Sequence, residues 1–391
     1  MPNQILKIGL FMGFVFVLVF LSFLYINFTK QDSIIADSQQ GEPVFEPKSP
    51  WHTSNPDINF INSLGSTGSE TLLAAHTLGT YYFVLFKTTS LDGDFEYLNT
   101  NGLIIARLSK TGIITDIKNL GNYTYADSTV SGGNIAVVAS ANGDSFLILI
   151  DVSLNITTNP VHSIKHIIAS DTLYLFDERN ITTYPATKTY TFEGDIVNIF
   201  ECSGEVVFFT KQNKDISKYT LINGMLTLDL QFLDTTLVKI ALNGEILITR
   251  NSVELVITKI NANTIDFVTI IPAANNNIEI MRSDTGYAVL TKDTVNYLYF
   301  LCLHGDIISK TQTIITADEY QNRFISLSGI ISMVTLQDIY TLVPTASIFG
   351  DTVPQKVLLT DNILFVQTHS NTLDFVKSQG ESDIFIFSLK L

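Results

Sequence analysis

The stretch LVKIALNGEILITRNSVELVITKINANTIDFVTII, residues 237–271, decides the fold. It reads as four apolar runs, LVKIAL, GEILITR, VELVITKI and TIDFVTII, broken at Asn243-Gly244, Asn251-Ser252 and Asn261-Ala262-Asn263. Val, Ile, Thr and Phe favour extended backbone. Runs this short, bounded by Asn and Gly, are strands joined by tight turns rather than helices. The pattern repeats on both sides. Before it come IVNIFEC, GEVVFFTKQ, ISKYTLI and LTLDLQFL; after it come NIEIMRS, GYAVLTK, NYLYFLCL and IISKTQTII. Gly204-Glu205 and Gly244-Glu245 open equivalent strands, and Gly286 takes the same place in the next unit. Four strands in about 40 residues, repeated, predict an all-β fold: a β-propeller of four-stranded blades.

Working outward, the units fall at about 66–121, 122–164, 165–194, 195–233, 234–272, 273–315, 316–358, and 359–391 together with 57–65. That is eight blades. Seven remains open because 165–194 is short and the boundary near Pro354 is indistinct. An irregular pair of β-sandwiches is the alternative fold. The two chain ends match each other. TTSLDGDF (88–95) aligns with THSNTLDF (368–375), and IIARL (104–108) aligns with FIFSL (385–389). The chain stops at the third strand of its last unit. INFINSLG (58–65) resembles ITDIKNLG (114–121), the fourth strand of the first unit. The N-terminal strand is therefore expected to complete the C-terminal blade, removing an edge that would template aggregation.

Residues 63–114, SLGSTGSETLLAAHTLGTYYFVLFKTTSLDGDFEYLNTNGLIIARLSKTGII, resemble the β-propeller repeats of bacterial surface proteins (SBBP-like repeats). SDIFIFSLKL (382–391) resembles the end of the same repeat. The resemblance covers the first and last blades. It implies a ring and a bacterial envelope origin, and it brings no chemistry with it.

The remainder of the chain speaks to place. Residues 1–7 form a short stub, and 8–28, IGLFMGFVFVLVFLSFLYINF, hold no ionisable group except Tyr25. Twenty-one residues at 1.5 Å each match the hydrocarbon thickness of a bilayer. The segment exceeds the usual h-region of a cleaved signal peptide and has no small-x-small cleavage site. It is read as an uncleaved transmembrane signal anchor with a cytoplasmic N-terminus. Residues 29–56 hold Pro43, Pro47, Pro50 and Pro56 among polar residues and are read as a stiff spacer. Trp51 lies within it, to dock on the domain or rest in the lipid interface. Residues 57–391 are the extracytoplasmic domain. The 391-residue chain carries 38 acidic and 23 basic residues, and every acidic one follows the anchor. An acidic surface argues against nucleic acid as a partner.

No motif names a reaction. His162 and His166 are four apart, but Pro160 is expected to break their strand. Cys202 and Cys302, two blades apart, are expected to be free, buried thiols. Asp92-Gly93-Asp94-x-Glu96 and Asn142-Gly143-Asp144 collect oxygen ligands suited to Ca²⁺, but they serve equally as turn formers. Ser131-Gly132-Gly133 and Ser328-Gly329 read as turns. The carboxylates placed to work as acid and base in a central channel are Glu70, Glu201, Glu279 and Asp284. Glu201 and Glu279 sit inside apolar strands, aimed at the axis or paired with a cation such as Lys239 or Arg282. Four N-x-T sequons, at Asn27, Asn122, Asn155 and Asn180, are unremarkable in an Asn- and Thr-rich chain.

No catalytic, cofactor or metal residue is therefore assigned. The leading reading is a membrane-tethered module that binds a protein, peptide or glycan at the cell envelope. One alternative is a propeller hydrolase or lyase with a site in its channel. The other is an accessory subunit of an envelope assembly, its anchor packing on other helices through Gly9 and Gly13.

Overall fold

The structure is a computed structural model. It describes residues 47–49, 58–98, 101–170, 172–185, 188–202, 204–273, 275–313, 317–320, 323–326, 330–338, 341–349, 354–369 and 382–389. The anchor (8–28), the stub, most of the spacer and Trp51 lie outside these residues. Among the described residues, no helix is long and apolar enough to cross a membrane.

The chain forms eight four-stranded antiparallel sheets. Seven are consecutive meanders, spanning 70–121, 124–161, 166–191, 195–232, 236–272, 278–313 and 317–349. The eighth combines 354–389 with the strand Ile58–Leu64. The fold is a β-propeller with eight blades, numbered here in that order. Seven boundaries agree with those read from the repeat. The seventh-to-eighth boundary does not: Pro354–Thr360 is the first strand of blade 8, not the tail of blade 7. Pro354 opens that strand, where its missing N–H costs little.

The first strands of neighbouring blades touch one another and form the inner wall. They are mostly half-buried; Asp195–Cys202 contains no fully buried residue. The second strands are sandwiched between adjacent blades and are buried almost end to end, as in YYFVLF, EVVFFT and GYAVLT. That is why these runs are continuously apolar. The fourth strands form the rim and bury one face only; TIDFVTIIP alternates exposed and buried from Asp266 onward. Pro160 does not break its strand. Ile156–Val161 is a rim strand, where a proline needs no hydrogen-bond partner on its open side.

The hydrophobic core is therefore a series of slabs between blades. Leu85, Ile105, Val137 and Ile148 join blades 1 and 2. Ile248, Ile257, Tyr287 and Val289 join blades 5 and 6. Blade 3 is the smallest, its rim strand only Thr189–Thr191. Its junction with blade 4 is filled by large rings: Phe192 meets Phe208 at 5.1 Å and Tyr219 at 5.3 Å between centroids.

A second device recurs around the ring. A side-chain donor from one blade reaches a carbonyl in the turn between the third and fourth strands of the next. Arg107 Nη1 donates to Val152 O at 2.8 Å, and Tyr190 Oη to Gly224 O at 2.5 Å. Lys218 Nζ donates to Ala262 O, Thr269 Oγ1 to Gly305 O at 2.5 Å, and Asn62 Nδ2 to Gly112 O at 2.8 Å. The accepting turns reverse the chain through left-handed residues, including Gly112 (φ +83°), Gly224 (+71°) and Gly305 (+88°). Each bond satisfies a carbonyl that the tight turn leaves without a strand partner.

The last of these junctions is where the ring closes. Ile58–Leu64 pairs antiparallel with Ser382–Leu389, setting Ile61 opposite Phe387 and Leu64 opposite Ile384. The first blade's inner strand then packs against three strands of blade 8. The acidic loop of blade 1 secures the crossing. Asp94 accepts from Gly65 N at 2.9 Å, and Asp92 accepts from Thr67 N at 2.8 Å. Residues 47–49, expected in the free spacer, also join the ring. Lys48 exchanges two backbone hydrogen bonds with Ile114, each 3.0 Å. Its Nζ lies 2.8 Å from Asp94 Oδ2 and donates to Ser63 O at 3.0 Å.

Two outcomes follow from this closure. Deleting residues 58–64 should leave blade 8 with three strands and make the protein aggregate; unchanged solubility and an unchanged thermal midpoint would reject the assignment. Gly112→Ala would place a methyl in the Phe60 ring at a left-handed position. It should cost about 2 kcal/mol or more in denaturant unfolding, and a neutral result would contradict the closure geometry.

Candidate functional site

The carboxylates singled out from the sequence do not converge. Glu201, at the end of an inner strand, is exposed and accepts Gly204 N at 2.7 Å, tying down its own turn. Glu279 lies between two cations, 2.5 Å from Lys239 Nζ and 3.5 Å from Lys292 Nζ. Arg282 pairs instead with Glu245 at 2.6 Å. Asp284 is exposed in a turn. Glu70 is buried where blade 1 meets blade 8, accepting the Ser66 hydroxyl at 2.5 Å and the Thr88 hydroxyl at 2.9 Å. Burial, and to a lesser extent the Asp383 carboxylate, push its carboxyl up to about 7 against the pull of those hydroxyls.

The remaining candidates have structural partners. Asp92 and Asp94 spend their oxygens on the closure loop and on Lys48. Asn142 and Gly143 form a left-handed two-residue hairpin turn, with φ of 54° and 91°. Ser131-Gly132-Gly133 is likewise a hairpin turn; Ser328-Gly329 lies outside the described residues. Cys202 and Cys302 are free thiols, but both are half-buried rather than buried, because each ends its strand. Cys202 Sγ donates to Asn243 O of the next blade at 3.3 Å. Among the described residues, no three His, Cys, Asp or Glu side chains are grouped to hold a metal.

The structure brings together a polar cluster that the sequence reading missed. It crosses the inner strands of blades 1, 2 and 3: Glu70–Leu78, Thr124–Ser131 and His166–Ala169. His76 Nε2 lies 2.7 Å from Ser128 Oγ, which lies 2.9 Å from Tyr125 Oη. Asp127 accepts Ile167 N at 3.1 Å and faces His166 Nδ1 at 3.3 Å. Thus His166 pairs with a carboxylate of the neighbouring blade rather than with His162. Burial pushes the His76 imidazole down to about 4, with Asp127 pulling weakly the other way. A serine within 3 Å of a histidine resembles an activated nucleophile. Yet an imidazole held near 4 is a weak base at neutral pH. The cluster acts as polar mortar between inner strands. Nothing in the local sequence AAHT marks His76; only the ring places it beside Ser128.

A cleft of about 690 Å³ opens between blades 4 and 5, lined among others by Cys202, Lys218, Asp229, Glu245 and Lys259. Its charges are matched. Lys218 Nζ lies 3.2 Å from Asp229, and Lys259 Nζ lies 3.0 Å from Asp266. Such a cleft offers little net charge to a ligand.

The rim is different. Large apolar side chains are exposed chiefly on three consecutive blades, with Val152 and Ile156 as a smaller pair on blade 2. Those on the three blades are Met225, Leu226, Leu228 and Leu233 on or beside the rim strand of blade 4, Val253, Ile265, Val268 and Ile270 on blade 5, and Val295, Leu303 and Ile307 on blade 6. Blade 1 contributes none among the described residues. Leu226 and Leu228 share a face with Leu221 and Tyr219, toward blade 3. The short rim strand of blade 3 leaves them uncovered. Val253, Val295 and Leu303 lie in the hairpin turns of blades 5 and 6, and Leu226, Leu228, Ile265, Val268, Ile270 and Ile307 lie on the rim strands themselves.

No protein-family model matches the chain, and no curated protein sequence does. Solved structures give distant likenesses. The AfRom2 CNH domain aligns with a TM-score of 0.41 and 10% identity over 68% of this chain and 94% of that one. A putative 6-phosphogluconolactonase from Bacteroides fragilis gives 0.40 and 12% over 70% and 95%. Kluyveromyces lactis Hsv2 gives 0.39 and 10% over 63% and 92%. At this distance no property passes from them to this chain.

The buried imidazole has a measurable consequence. A histidine whose folded value lies below its unfolded 6.5 stabilises the fold above pH 6.5 and loses that contribution as pH falls toward 4. The stability gap between the native protein and His76→Gln should shrink by up to roughly 3 kcal/mol between pH 7 and pH 4. Urea unfolding at both values checks this; a constant gap would show that His76 is not held neutral.

Proposed function

We propose that this chain is a membrane-tethered, extracytoplasmic propeller that binds a protein or peptide at the cell envelope. Residues 8–28 serve as the anchor, and residues 29–46 carry the ring away from the bilayer. The observation that supports binding is the exposed apolar surface shared by the rims of blades 4, 5 and 6. Rim side chains of Met, Leu, Val and Ile favour a protein or peptide over a glycan. Sugars are commonly held against aromatic faces, and every aromatic side chain described here is buried or half-buried. Catalysis is disfavoured by the paired state of Glu279, the capping role of Glu201 and the weak basicity of His76. The acidic excess, with every acidic residue beyond the anchor, selects against nucleic acid and for partners without a strong negative surface.

Photo-crosslinking in native membranes tests the reading. A photoreactive residue at Leu228 or Ile307 should yield discrete adducts with another protein. The same residue at Lys118, on the rim strand of blade 1, should yield none. Equal adducts from all three positions, or none from any, would contradict it.

A further inference from the structure

Every blade ends at the rim in a strand with one unpaired edge. Such an edge can recruit another strand, and proteins usually blunt it with charge, proline, brevity or cover. Most rim strands here are blunted. Blade 1's carries Asp116 and Lys118, blade 2's Pro160, blade 6's Lys310 and blade 7's Pro344. Blade 4's is broken in mid-strand by a bulge at Asp229, blade 3's is three residues long, and blade 8's is buried from Phe60 to Leu64.

Blade 5 is the least protected: its bulge falls at Asp266, near the start of the strand, and leaves residues 267–272 regular. Its rim strand, Thr264–Pro272, is nine residues long. Its one charged residue, Asp266, is ion-paired with Lys259 of the same blade at 3.0 Å. Val268 and Ile270 are 55% and 51% exposed, whereas Phe267, Thr269 and Ile271 are buried against blade 6. The backbone register sharpens the picture. Ala273 N donates to Val253 O, and Glu254, Val256 and Thr258 stand opposite Pro272, Ile270 and Val268. In an antiparallel ladder the bonded pairs alternate. The inward-bonded residues are therefore Thr269, Ile271 and Ala273, and the N–H and C=O groups of Val268 and Ile270 face outward. Pro272 falls at an outward position, where its missing N–H is tolerated.

We propose that this edge binds the same edge of a second copy of this chain, antiparallel, with Val268 opposite Ile270 of the second copy. The strand is self-complementary about a two-fold axis through Thr269. In that register each outward backbone donor meets an outward acceptor, and the exposed apolar pair meets its own counterpart. Asp266 lies at the bulge, outside the regular stretch 267–272, which holds no charged residue, so no like charges face each other within it despite the acidic character of the whole chain. The two four-stranded blades become one continuous eight-stranded sheet. This inference rests on the reading of the rim as a binding surface and names the occupant of one part of it.

The test uses the full-length chain, in detergent and in lipid nanodiscs, with mass measured by light scattering. The native protein should be dimeric. Val268→Lys with Ile270→Lys places facing lysines across the axis and should weaken the dimer by about tenfold or more, with the melting curve preserved. Val268→Cys with Ile270→Cys should form an intermolecular disulfide under mild oxidation, and this second arm stands even if the lysine pair unfolds the blade. A native protein that is monomeric at every concentration, a dimer untouched by folded lysine variants, or absence of the disulfide would each overturn the proposal. Adducts from Leu228 together with a monomeric native chain would retain the binding reading and reject the dimer.

Discussion

The ring depends on one pairing: Ile58–Leu64 with Ser382–Leu389, strands more than 300 residues apart in sequence. Every other sheet is a local meander whose strands follow one another in sequence. Each buries its faces only because a neighbour stands on either side. A linear row of such blades would expose a full apolar face at each end. Joining the two chain ends in one sheet removes both faces at once. The loop closed in this way spans over 300 residues, but closure entropy grows only with the logarithm of loop length. Continuous burial of the closing strand, with Ile61 and Leu64 fully enclosed, outweighs that entropy.

Two kinds of contact transmit the constraint around the ring. Apolar slabs between second and third strands supply non-directional cohesion. Side-chain donors reaching the turn carbonyls of the next blade supply register, because each must meet one atom. Such a bond contributes only about 0.5–1.5 kcal/mol, yet losing it strands a polar group at roughly 1–3 kcal/mol. The donors differ in kind, Arg107, Tyr190, Lys218, Thr269 and Asn62, while the accepting position is constant. Geometry is repeated where chemistry is not.

That difference explains what could be read from the sequence. Strand periodicity and Asn-Gly turns are local, so blades 4, 5 and 6 are visible in residues 196–315, and the match between 58–65 and 114–121 reveals the closure. The boundary near Pro354 was misplaced because the strand after it resembles a third or fourth strand when judged by apolarity alone. Lys48 was assigned to the spacer because its partners, Asp94, Ser63 and Ile114, are assembled only by the closed ring. His76 and Ser128 lie 52 residues apart and meet across two inner strands. No spacing rule links them. The rim surface was also illegible: Leu226 and Leu228 would be core in a full-sized neighbour and are exposed because blade 3 is short.

The proposed function rests on what the ring leaves over. The polar groups at the centre are engaged with one another, and those at the blade 1–8 junction hold the closure. Most of the exposed apolar surface is on blades 4 to 6, away from the closing strand. This division requires the ring to be one cooperative unit. Hydrogen exchange on the full-length protein tests that requirement most directly. Amides of Ile58–Leu64 and Ser382–Leu389 should share one slow, global opening with the second strands of the middle blades. Fast exchange confined to residues 58–64, with 382–389 still protected, would show that the N-terminal strand is an attachment and that the ring closes without it.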